Sequence, residues 1–130
     1  MPNKHNSIDI KIWNRDFEVE VEFDTYSDGT ILDCQKDAIK ELVRKKHIID
    51  DSLPKVKEYC KAIDGEKIDG EIDNIFKYVI PRTFYIQSPN DKISHVVGLI
   101  CAYKFNPDYG LVLKYVDEQL QEIGTSNIIY

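Results

Sequence analysis

The chain opens with a change of period. Ile8, Ile10 and Ile12 alternate with polar residues, and Phe17, Val19, Val21 and Phe23 then alternate with Glu18, Glu20, Glu22 and Asp24. A period of two predicts strands with one buried and one wet face. The short polar Asn14-Arg15-Asp16 between the two runs predicts a hairpin, and Tyr26-Ser-Asp-Gly29 closes its second strand. From Ile31 to Asp50 the spacing turns helical, with Ala38, Ile39, Leu42 and Val43 on one face. Asp33 is the expected N-cap, and Lys40, Arg44, Lys45 and Lys46 crowd the later turns, where positive charge suits the helix dipole. A second helix is expected from Ser52, a capping hydroxyl followed by Pro54 in the first turn, with a stripe of Val56, Tyr59, Cys60 and Ile63. After the breaker-rich Asp64-Gly-Glu-Lys-Ile-Asp-Gly-Glu71, a short third helix is expected from Asp73 to Val79, stopped by Pro81.

The remainder reads as strands. Arg82–Ser88 alternates weakly, and Ser88-Pro-Asn-Asp91 reads as a turn. The run around Val96–Tyr103 is apolar on both faces, as a central strand is. Asn106-Pro-Asp-Tyr-Gly110 interrupts it before Leu111–Val116, and Asp117-Glu118-Gln119 turns the chain into the last strand. The expectation is one α+β domain over residues 1–130: an N-terminal β-hairpin, two to three helices and a C-terminal antiparallel β-meander, forming one sheet with the helices on one face. Trp13, Phe17, Val19, Val21, Phe23, Leu42, Phe76, Val97, Leu99, Cys101 and Leu111 are its expected core. An exposed Trp13 would instead suit an interface anchor.

Charge narrows the partners. The formal net charge of the 130 residues is -6, with both halves similarly acidic. That disfavours the phosphate backbone of nucleic acid, which needs clustered Lys and Arg. No run approaches the roughly twenty apolar residues of a membrane span, and the polar start lacks a signal-peptide hydrophobic region. The three cysteines, Cys34, Cys60 and Cys101, contain no CxxC pair, so free thiols in a reducing cytoplasm are expected.

Motifs for chemistry are sparse. His5, His47 and His95 are far apart, without HxH or HExxH, so neither a metal site nor a cofactor is expected. His47 is read at a helix C-terminus and His95 in the central strand. Cys34, just after a helix cap, is the best-placed thiol for reactivity, but no histidine lies near it in sequence. GxGxxG, GxxxxGK[ST] and GxSxG do not occur. No catalytic residue is assigned. The row Glu18, Glu20, Glu22 and Asp24 has two readings, a solvated strand face or a docking surface that steers a basic partner. As metal ligands these carboxylates are poor, because same-face residues on one strand stand about 7 Å apart and do not converge.

One resemblance adds to this. Ile80-Pro81, Gly98-Leu99, Cys101, Gly110, Leu113, Ile123-Gly124 and Asn127 stand where a family of small bacterial domains of unknown function carries its C-terminal motifs. The likeness runs from Asn74 to Tyr130. Where that family reads Trp-Asp-x-Glu-His-Gly, this chain has Phe105-Asn-Pro-Asp-Tyr-Gly110. The usual histidine is Tyr109 and the glutamate is Asp108, so acid–base or metal chemistry at the loop is weakened while a turn survives. Some similar small acidic proteins look like immunity proteins that block a toxin. The resemblance therefore implies a non-catalytic protein-binding module, an immunity- or antitoxin-like inhibitor of a basic toxin. It would bind through Glu18, Glu20, Glu22, Asp24, Asp108 and Tyr109. The alternative is a small-ligand binder or enzyme with a pocket between helices and sheet.

Overall fold

The computed structural model describes residues 7–25, 29–89 and 95–130. Six strands form one sheet in sequence order: β1 (Ser7–Ile12), β2 (Arg15–Phe23), β3 (Val79–Ile86), β4 (Val96–Tyr103), β5 (Leu111–Val116) and β6 (Gln119–Gly124). The expected hairpin and meander are both present. They join edge to edge through β2 and β3, which run parallel, whereas the other neighbours are antiparallel. A parallel join needs a long crossover, and the helices supply it: α1 (Asp33–Arg44), α2 (His47–Asp50) and α3 (Leu53–Asp64).

Residues opposite each other in a ladder share a face. Val21, Phe84, Leu99, Leu113 and Ile123 are successive partners across five strands, and Phe23, Ile86, Val97, Tyr115 and Leu120 form the next row. Ala38, Ile39 and Leu42 of α1, Ile49 of α2, and Val56 and Cys60 of α3 are buried in the same core as these rows. Of the expected core, Trp13, Val19, Leu42, Val97, Leu99, Cys101 and Leu111 are buried, while Phe17, Val21, Phe23 and Phe76 are half-buried at its margin.

Several local expectations are corrected. The first hairpin turns at Trp13-Asn14, both at positive φ (51° and 69°), one step earlier than the polar triplet suggested. The helix expected over 31–50 is two helices. Unbroken, it would aim Lys46, four residues after Leu42, at the sheet. The break instead carries the Lys46 amine to the Lys11 carbonyl (3.1 Å) and to Asp50 (2.7 Å).

Asp33 is the first residue of α1 and not its cap. Leu32 holds the cap position, and its N–H donates to Gln35 Oε1 at 2.9 Å. The buried Gln35 amide also donates to the Asp24 carbonyl (2.6 Å), tying the helix start to the end of β2. Ser52 does not cap α3 with its side chain. Its hydroxyl donates to the Ile48 carbonyl and shares a hydrogen bond with the buried Tyr115 hydroxyl (2.9 Å). Ile63, read as part of the buried stripe, is 61% exposed.

The third helix shrinks to one 3-10 turn, Ile75–Lys77, and Val79 already belongs to β3. Pro81 lies inside that strand. β2 pairs with β3 only from Thr83 onward, and the ladder to β4 slips between Pro81 and Thr83. A bulge of this kind accommodates a residue that has no N–H to donate. The turns expected at 26–29 and 88–91 fall largely outside the described residues, as does His5.

Candidate functional site

The helices occupy one face of the sheet, and the other face divides into two halves. On the β1–β2 half, Glu18, Glu20 and Glu22 are exposed. Their row is wider than the sequence row, because Asp9 of β1 stands directly opposite Glu18 and is exposed too. Directly opposed like charges are unfavourable in a sheet. The local relief is modest: Ser7 Oγ donates to Glu18 Oε2 at 2.9 Å, and Lys11 lies 3.8 Å from Asp16. Asp24 departs from the row. It is half-buried past the end of β2, its carbonyl accepts from Ser88 Oγ (2.9 Å), and its carboxylate accepts from the Ser88 N–H (3.5 Å).

The other half carries an apolar patch that the chain itself covers, beside the polar pair Lys114 and Glu122. Tyr85, Val96, Val112 and Ile129 form a second buried cluster, separate from the main core. The backbone passes through a 3-10 turn, Ser126–Ile128, and lays Ile129 over Gly98. A Cβ at Gly98 would stand 2.6 Å from Ile129 Cγ1, so glycine is what lets the segment settle. Gln87 Nε2 donates to the Ile129 carbonyl (2.6 Å), and the Tyr130 ring packs on Tyr85 with centroids 4.8 Å apart. Burial, assisted by the Asp24 carboxylate, pushes the Tyr85 phenol up to about 12.

The loop between β4 and β5 borders this face. The Asn106 carbonyl accepts from the Gly110 N–H (2.8 Å), and its side chain accepts from the Tyr109 N–H (3.3 Å). This is a self-bonded asparagine turn. Phe105 stacks on Tyr78 and meets Tyr103 edge-on, with centroids 5.5 and 5.7 Å apart. Asp108 and Tyr109 point outward, Tyr109 being 55% exposed. Gly110 has φ 65°, and a Cβ there would stand 2.5 Å from the Cys101 carbonyl oxygen. Gly110→Ala is therefore expected to cost about 2 kcal/mol, read as a lower denaturation midpoint at unchanged slope. An unchanged midpoint would show that the loop yields.

The remaining candidates are dispersed. His95 precedes β4 and does not lie in it, with Nδ1 2.6 Å from Glu118 Oε2; Lys45 Nζ is 4.0 Å from the other oxygen of that carboxylate. His47 begins α2 instead of ending a helix. Cys34 is half-buried in the first turn of α1. Cys60 and Cys101 are buried free thiols, and burial raises both pKa values. Among the described residues, no group of three or more His, Cys, Asp or Glu is placed to hold a metal ion. No helix among them is long and apolar enough to cross a membrane.

Sequence reasoning missed Arg82. β3 advances from the pair Pro81–Cys101 to the pair Thr83–Ile100, leaving Arg82 as the extra residue of the bulge. Bulges re-aim side chains. Arg82 is exposed and makes no hydrogen bond or ion pair among the described residues, although it lines a cleft with Ser7, Glu18 and Glu20. Pro81, read from the sequence as a helix stop, was the available signal, since a proline inside a strand marks an edge or a bulge.

No curated protein and no solved structure matches the chain. One family profile does match, that of a domain of unknown function, DUF6985. Its match spans residues 3–130, so the kinship extends through the hairpin and helices and is not confined to the C-terminal half. The chain belongs to the DUF6985 family.

Proposed function

We propose that this protein is a non-catalytic binding module that docks a basic protein through the outer face of β1 and β2. The observation that carries this reading is the apposition of Asp9 and Glu18, with Glu20 and Glu22 continuing the row. Four exposed carboxylates on one sheet face cost the isolated fold some repulsion, and a cationic partner removes it. A cleft of about 410 Å³ between α3 and β6, lined by Tyr59, Ala62, Leu120 and Ile123, opens at the sheet edge, but the centre of the layer between helices and sheet is filled. There Leu42, Ile49, Val56 and Cys60 are fully buried in one core with Phe84, Leu99 and Leu113. The sharpest form of the proposal is an immunity-type inhibitor that covers a cationic toxin in the bacterial cytoplasm.

The test begins with affinity capture from the native host and with the products of neighbouring genes. Association kinetics with the captured partner follow. Changing Glu18, Glu20 and Glu22 to Gln should slow association about tenfold at low salt, and the difference should shrink as salt screens the field. An association rate unchanged by the substitutions and by salt would reduce the row to a solvated surface.

A further inference from the structure

The geometry points to a second half of this interface, a register-setting anchor built from Arg82, Tyr109 and Tyr130 that takes a carboxylate and an apolar side chain from a predominantly basic partner segment. The inference rests on the docking reading above and names the partner chemistry more closely.

Arg82 lines two adjoining clefts. One is shared with Ser7, Glu18 and Glu20, where the β2–β3 ladder begins at the pair Glu20–Thr83. The other runs over the outward residues Ile100 and Ala102 to Asp108, Tyr109 and Tyr130. Tyr109 and Tyr130 are two of the three large apolar side chains standing exposed among the described residues, at 55% and 70%. Neither depends on a loose segment. The Ser126 N–H donates to the Tyr109 carbonyl (3.0 Å), and the Tyr130 N–H donates to the Ser126 carbonyl (3.3 Å). Exposed tyrosines beside an arginine, held before any partner arrives, match the residue types that dominate binding energy.

The charges select the occupant. Among the described residues the five side-chain donors of Arg82 have no hydrogen-bond or ion-pair partner, which suits a carboxylate. Glu18, Glu20 and Asp108 line the same clefts, so a purely acidic ligand would be repelled. A purely basic one would meet Arg82 as a like charge. A segment carrying lysines at alternate positions, about 7 Å apart like the glutamates of β2, and one carboxylate beside an aromatic side chain satisfies both halves. A cation beside the acidic row thus fixes register by penalising misaligned partners.

Synthetic peptides test this by chemical-shift mapping on nitrogen-labelled protein: Ac-Gly-Gly-Gly-Lys-Gly-Lys-NH2, Ac-Phe-Asp-Gly-Lys-Gly-Lys-NH2, and the second with Asn for Asp. The Phe-Asp peptide should bind about three- to tenfold more tightly than the other two. It alone should shift the Arg82 side chain together with Tyr109 and Tyr130. Arg82→Gln should abolish that gain and leave the first peptide's affinity equal or higher. Equal affinities for all three peptides, with shifts confined to β1 and β2, would overturn the anchor while leaving the acidic-face reading standing. Shifts confined to Arg82 and the tyrosines would support the anchor and overturn that reading. The absence of any shift would overturn both.

Discussion

Trp13→Ala is expected to remove about 3–5 kcal/mol of stability, a large part of the roughly 5–15 kcal/mol typical of one domain. The indole is only 6% exposed, its Nε1–H donates to the Ile49 carbonyl (2.9 Å), and its ring lies 6.2 Å from that of Phe76. The backbone N–H donates to Asp50 Oδ1 at 2.9 Å, so the hairpin turn and α2 are pinned through one residue. The price is a bulky residue at φ 51°, in the left-handed region that costs non-glycine residues about 1–2 kcal/mol. Trp13→Gly should therefore be no worse than Trp13→Ala, although glycine normally loses to alanine by roughly 0.5–1 kcal/mol. Chemical denaturation of both variants decides it. A loss within about 0.5 kcal/mol of zero for Trp13→Ala would show that the turn is not anchored in the core.

The second large effect lies in the interior. Leu42→Ala and Leu99→Ala should each cost about 2–5 kcal/mol, because both side chains are fully buried on facing layers, Leu42 on α1 and Leu99 on β4. Ile63→Ala on the outside of α3 should stay within about 0.5 kcal/mol of the parent, since Ile63 is largely exposed. The contrast matters because Leu42 and Ile63 look alike in a helical stripe. Equal losses at Leu42 and Ile63, or none at Leu42 and Leu99, would mean that the helical faces are wrongly assigned.

Period-two alternation in β1 and β2 and the doubly apolar run of β4 determined which segments are strands and which residues of β2 face inward. Alternation is a property of the extended chain, so it is written locally. The fold class, the crowded helical middle and most of the buried residues were legible for the same reason. So was the acidic row, because Glu18, Glu20 and Glu22 alternate with the core residues. Contacts between distant segments were not written locally. Whether Ile63 or Lys46 turns inward depends on where each helix ends against the sheet, and Pro81 stops a helix or sits in a bulge according to what pairs beside it. Asp9 joins Glu18 only through the register of β1 on β2, and Arg82 meets Tyr109 and Tyr130 only because β3, the loop after β4 and the C-terminal turn converge on one face. Strand identity follows from neighbours one or two residues away. The composition of a surface follows from strand order and register, which only the closing of the whole sheet decides.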